Sequence, residues 1–191
     1  LLLFVCFCLS VIFWCVFLTG LLLAVLFFWL ISEGKLGFMP TFEELENPNN
    51  KFASEVYFED GPMISRYFQG SENRRYTEYK DIPESVKDAL VATEDVRFYD
   101  HSGIDVIGLF RVAKGLLTGS SSSGGGSTIT QQLAKMLFPR DPDQNFMELA
   151  VRKFREWVIA VRLERSYTKE EIMTMYLNKF DFLNLAVGVN S

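Results

Sequence analysis

Residues 145–178 read NFMELAVRKFREWVIAVRLERSYTKEEIMTMYLN, and this stretch decides the fold class. Ala150, Phe154, Trp157, Val158 and Val161 recur at the spacing of one helical face. They predict a long helix from about Asn145 to Arg165 with these residues as its buried stripe. Thr168 followed by Glu171 is a capping-box pattern, which opens a final helix through Tyr176.

The same period continues towards the amino terminus. A helix is predicted from near Ser127 to Phe138, where Pro139 stops it, and another from Val106 to Leu117, ended by Gly119. Val86, Leu90 and Val91 mark one face of a helix that Pro83 begins and that runs up to Glu94 and Asp95. Between two of these helices, Ser120 to Gly126 is a low-complexity Ser/Gly stretch, mobile by composition. Ahead of the helices, Ala53–Phe58 and Met63–Phe68 flank Asp60-Gly61 as a hairpin, followed by a loop at Gln69 to Arg75. The expected fold is mainly α with a small β-hairpin near the membrane, occupying residues 51–191.

The membrane enters through residues 1–31, which carry no charge. As a helix, such a run reaches about 46 Å, more than the roughly 30 Å hydrocarbon core of a bilayer. A signal peptide has a shorter apolar stretch, a basic start and a small-residue cleavage site, and none is visible here. We read a single transmembrane anchor. Residues 32–50, with Gly34, Gly37, Pro40 and Asn47-Pro48-Asn49-Asn50, read as a juxtamembrane linker. Glu33 and Lys35 do not decide the orientation.

Composition narrows the chemistry. Cys6, Cys8 and Cys15 all fall in the anchor, so the rest of the chain has no disulfide and no Cys-ligated zinc. The single histidine, His101, rules out a multi-His metal site. Net charge is −5, with 15 acids against 8 bases in residues 33–100 and 9 acids against 11 bases from 101 onward. That balance does not point to nucleic acid, although the second half is mildly attractive to an anionic ligand.

Three constellations carry reactive groups. Glu94-Asp95, followed by Phe98 and His101, places a carboxylate pair at a helix end; taken alone, a solvated acidic pair is the commoner reading. Gly125-Gly126-Ser127-Thr128-Ile129-Thr130-Gln131-Gln132 runs glycines into a helix start, where backbone N–H groups and the helix dipole favour an anion. A flexible linker ahead of an N-capped helix explains that spacing equally well. In Arg152-Lys153-Phe154-Arg155-Glu156 the cations lie one turn from Glu156, a pattern that suits a phosphate but more often marks surface ion pairs.

Their order and company point further. Residues 94–103, 126–132, 152–156 and 169–178 resemble, in sequence order, the four motifs of the peptidoglycan glycosyltransferase family (glycosyltransferase family 51). This is the transglycosylase module of class A penicillin-binding proteins and their monofunctional relatives. The resemblance covers roughly Lys51 to the end. It departs from the common pattern at Phe180-Asp181-Phe182-Leu183-Asn184-Leu185, where Phe182 and Asn184 still fit, as does Gly188.

The resemblance implies a lysozyme-like, mainly α domain that polymerises lipid II by inversion, with undecaprenyl diphosphate as leaving group. Carried over, Glu94 is the general base. Arg152 and Lys153 neutralise the diphosphate, and Glu156 orients it or a metal. Ser127, Thr130, Gln131, Gln132 and Lys135 line the donor site, while Asp95, Phe98 and His101 support Glu94. A divalent cation (Mg or Mn) could assist; no residue is assigned as its ligand and no organic cofactor is implied. The implied partners are lipid II, the growing lipid-linked glycan, the membrane and other cell-wall synthesis and division proteins, with no nucleic acid. The implied location is the bacterial cytoplasmic (inner) membrane, single-pass, with the catalytic domain on the outer (periplasmic) face.

Ser191 falls inside what the family treats as the catalytic domain, so we expect an incomplete domain whose folding and activity as it stands are in question. Two rivals stay open at this stage. One is a hydrolase on a lysozyme-like fold, which also uses two carboxylates. The other is a non-catalytic membrane scaffold.

Overall fold

The computed structural model describes residues 2–41, 44–45, 54–67, 76–119, 125–138, 146–181 and 188–189. The linker cluster at 47–50, the loop at 69–75, the Ser/Gly residues 120–124, Pro139 and the departure at 182–185 lie outside them. Two compact units emerge, one comprising residues 1–39 and 144–158 and the other residues 40–143 and 159–191.

The first unit is dominated by α1, Leu2–Ser32. Its stretch Cys6–Ser32 is 27 residues long, and until Phe27 and Ile31 near its end almost all of its apolar surface faces outward. A soluble core helix would bury such a surface; a bilayer covers it from every side. The first part of α5, Phe146–Ser166, belongs to the same unit. Phe154 meets Phe27 and Phe28 edge-on, with ring centroids 5.4 and 5.6 Å apart. Arg155 Nη1 donates to the Phe38 carbonyl at 3.3 Å. Gly37, at φ +121°, leaves room for that guanidinium where a Cβ would collide with it.

The second unit begins with an antiparallel hairpin of β1, Ser54–Tyr57, and β2, Met63–Tyr67. Gly61 at φ +104° makes the turn, and its N–H bonds to the Phe58 carbonyl at 3.0 Å. Four helical elements follow: α2, Glu84–Glu94; α3, Val106–Thr118; α4, Ile129–Leu137; and, after the second part of α5, α6, Lys169–Lys179. Each start has a local cause. Pro83 caps α2, Asp105 accepts from Gly108 N at the start of α3, and Thr128 accepts from Gln131 N at the start of α4. Thr168 and Glu171 close the expected capping box on α6. Gly119 ends α3 in the left-handed conformation.

Packing of α4 against α6 forms the centre of this unit. Ile129, Leu133 and Ala134 meet Ile172, Met173, Tyr176 and Leu177 there, with Ile159, Ala160 and Leu163 of α5 and Phe98 completing the core. The expected buried stripe of α5 is corrected by this. Ala150, Phe154, Trp157, Val158 and Val161 are only half-buried, and the deeply buried residues are Glu156, Ile159, Ala160 and Leu163. A close backbone approach sets that face, because Gly103 (φ +89°) presses against the Ala160 carbonyl, where a Cβ would come within 2.9 Å.

One helix remains apolar on its outside. Val106, Ile107, Phe110, Leu116 and Leu117 of α3 are all more than half exposed.

Candidate active site

The adjacent carboxylates at the end of α2 diverge. Glu94 is the last helical residue and its side chain is exposed. Asp95 leaves the helix with φ −156° and ψ 76°, and its side chain turns inward to 4% exposure. There it accepts from Ile129 N at 3.1 Å, so a buried negative charge sits on the amino terminus of α4. His101 Nε2 lies 3.1 and 3.0 Å from the two Asp95 oxygens.

The surrounding loop is held by the same helices. Gly103 carbonyl accepts from Thr128 Oγ1 at 2.9 Å and from Gln131 Nε2 at 3.0 Å. Lys169 Nζ donates to the His101 carbonyl at 2.6 Å and to Glu164 at 2.8 Å, and sits 4.4 Å from the Phe98 ring centroid. Thr130 Oγ1 donates to Glu164 as well. Thr130 and Gln131 therefore turn into the core, whereas Ser127 and Gln132 are partly accessible and Lys135 is exposed.

Glu94 is tied to α4 by Gln132, whose Nε2 donates to Glu94 Oε2 at 2.6 Å. On its other side Gln132 Oε1 accepts from the Tyr176 hydroxyl at 3.0 Å. Burial, and to a lesser extent the negative Glu94, push that hydroxyl up to about 12. It keeps its proton throughout the neutral range.

Glu94 opens onto a cleft of about 500 Å³ lined by residues 93–97, Asp105, Gly108, Arg111 and the segment 125–128. Arg97 is committed to Asp105 through Nε at 3.1 Å and through Nη2. Burial pushes the Asp105 carboxyl up, but the Arg97 and Gly108 hydrogen bonds and the Arg97 charge outweigh it and hold the group below its ordinary value. The cleft thus combines an exposed carboxylate, two guanidinium groups and the glycine-led start of a helix. Such a set can hold an anion and accept a proton beside it.

Comparison with known proteins shows the family. Residues 60–191, more than half of the chain, match the model of the transglycosylase family. The chain belongs to the transglycosylase family. It is 37% identical over 153 residues to Penicillin-binding protein 1A of Escherichia coli (strain K12), covering 80% of this chain and 17% of that protein. To Penicillin-binding protein 1A of Neisseria lactamica and of Neisseria gonorrhoeae it is 36% and 35% identical over 177 residues, 93% of this chain and 21% of each relative. The chain therefore spans about a fifth of the length of these relatives.

The motif at residues 152–156 lies in the first unit. Lys153 Nζ is 3.1 Å from Glu156 Oε2; Glu156 is buried and Arg152 half-buried. One contributor escapes a reading of the residues one by one: Tyr176, whose link to Gln132 spans 44 residues. Away from the cleft, Lys87 is buried on the predicted apolar side of α2, with Glu84 at 2.6 Å and the Tyr79 ring centroid at 4.0 Å.

Proposed function

We propose that this chain is the peptidoglycan-polymerising glycosyltransferase module of a membrane-anchored cell-wall enzyme. It uses lipid II and the growing lipid-linked glycan as substrates. The observation that carries the reading is the divergence of Glu94 and Asp95. One carboxylate opens onto the cleft and the other is buried as support.

In this reading Glu94 takes the proton from the acceptor sugar hydroxyl as that oxygen attacks the donor's anomeric carbon. The bond from that carbon to the diphosphate oxygen breaks, and undecaprenyl diphosphate leaves with its charge. Arg152 and Lys153 neutralise that charge, and Glu156 holds Lys153 in place. Ser127, Gln132 and Lys135 contact the donor. Thr130 and Gln131 act from behind, by fixing the loop that carries His101 and Gly103. Among the described residues no group of three or more His, Cys, Asp or Glu side chains gathers to hold a divalent cation.

The long exposed apolar surface of α1 supports an anchor in the bacterial cytoplasmic membrane, and we propose that the catalytic domain lies on its outer face, beside the lipid substrates. A tether of this kind raises the encounter rate with a substrate that never leaves the bilayer. Other cell-wall synthesis and division proteins are its candidate partners.

The test is polymerisation of labelled lipid-linked disaccharide pentapeptide by the natural full-length protein and by Glu94→Gln. The expected loss is about 10²- to 10⁴-fold, the usual contribution of a general base. Equal activity would remove Glu94 from the mechanism, and release of reducing sugar in place of polymer would favour a hydrolase.

A further inference from the structure

The exposed carboxylate of Glu94 hangs from the end of a helix on a flexible side chain. A base so placed needs something rigid to aim it. The structure offers a path from the core. Tyr176 is 1% exposed, and its ring stacks on Phe180 with centroids 5.3 Å apart. Its hydroxyl reaches Gln132 Oε1 at 3.0 Å, and Gln132 Nε2 reaches Glu94 Oε2 at 2.6 Å.

A side-chain amide is nearly symmetric in shape but opposite in chemistry at its two ends. Rotated by a half-turn, Gln132 would set its carbonyl oxygen against the Glu94 carboxylate, acceptor facing acceptor. A fixed donor at the other end selects the productive orientation, and it limits the rotamer freedom that a glutamine otherwise keeps. We propose that Tyr176 is a positioning residue for Glu94, acting through Gln132, whose amide it holds with the N–H end towards the carboxylate. The high hydroxyl value of Tyr176 agrees, since the group stays a donor throughout the neutral range. This inference rests on the reading of Glu94 as the base.

The experiment compares the natural full-length protein with Tyr176→Phe, Gln132→Met and the double variant, all polymerising lipid-linked disaccharide pentapeptide. Tyr176→Phe keeps the stacked ring and removes only the donor. It is expected to lower kcat about 3- to 10-fold, the rate equivalent of one hydrogen bond, with KM changed by less than about twofold. Gln132→Met is expected to lower kcat at least as far. In the Gln132→Met background, Tyr176→Phe should have no further effect, because its route to Glu94 is already cut. A parent-like kcat for Tyr176→Phe, or losses that multiply in the double variant, would overturn the proposal. If Tyr176→Phe does not fold, Gln132→Met alone decides, and an unchanged kcat sinks the idea.

The Gln132 side-chain amide protons, followed by NMR, give a readout separate from turnover. They should move towards free-amide positions in Tyr176→Phe. If they do so while Glu94→Gln polymerises like the parent, the positioning role stands and the base assignment falls. If Glu94→Gln is inactive and Tyr176→Phe leaves both kcat and the amide signals unchanged, the base stands and the positioning role falls.

Discussion

His101 Nε2 stands within 3.1 Å of both oxygens of Asp95, and the backbone decides which partner holds the proton. Gly103 N–H donates to His101 Nδ1 at 3.2 Å, so Nδ1 is bare and Nε2 carries the hydrogen. The pair is a neutral imidazole donating to a buried carboxylate, which also receives Ile129 N–H.

Asp95→Asn is therefore not a conservative change. Its amide oxygen can still accept from Ile129 N–H, but its NH₂ then faces the Nε2–H of His101, donor against donor. We expect a loss of about 2–4 kcal/mol in stability by thermal or urea unfolding. A variant as stable as the parent would show that the charge of Asp95 is not needed there.

Gly103→Ala and Gly119→Ala separate crowding from backbone conformation. Both glycines have positive φ, +89° and +68°, but a Cβ at 119 meets nothing within 4 Å while one at 103 meets the Ala160 backbone at 2.9 Å. Gly119→Ala should cost about 1 kcal/mol, and Gly103→Ala about 3 kcal/mol or more. Equal costs would mean that the α5 backbone yields to the added methyl.

Tyr176 makes stability fall at high pH. Its folded value, about 12, lies above the ordinary phenol value of about 10. Its contribution is complete below about pH 10 and is lost as pH rises through the folded value. Over that window the parent should lose on the order of 2–3 kcal/mol more than Tyr176→Phe. Parallel unfolding curves would show that the hydroxyl is not buried in solution.

Asp105 has the opposite sign. Its lowered value means that its contribution is present above about pH 4, the unfolded value, and is lost as pH falls towards the folded one. Asp105→Ala should cost about 1–2 kcal/mol at pH 7, through the lost α3 cap and the Arg97 pair. The gap between variant and parent should narrow below about pH 4. A gap that stays constant to pH 3 would assign the cost to packing.

What could be read from the sequence was local. Helix ends at Gly119 and at Thr168 with Glu171 follow from residues within one turn, and the Asp60-Gly61 hairpin from two short strands and their turn. The apolar run of α1 announces itself by length. Direction was harder, because neighbouring residues of like chemistry go opposite ways for reasons that lie far along the chain. Glu94 turns out and Asp95 in because Ile129 and His101 receive the latter. Thr130 and Gln131 face the core because Glu164 and Gly103 lie there, while Gln132 faces Glu94. The face of α5 differs from its apolar period for the same reason, since hydrophobicity favours Val161 but the approach of Gly103 buries Ala160.

Asn178, on the last turn of α6, acts as a substitute β-strand for a single residue. Its Oδ1 accepts from Thr77 N at 2.8 Å and its Nδ2 donates to Thr77 O at 2.9 Å, across 101 positions of chain. Closing a loop of that length costs chain entropy, and the pair exists only with the end of α6 in place beside Thr77. The Thr77 amide is thus a natural clock, gaining protection from exchange only when the end of α6 has docked.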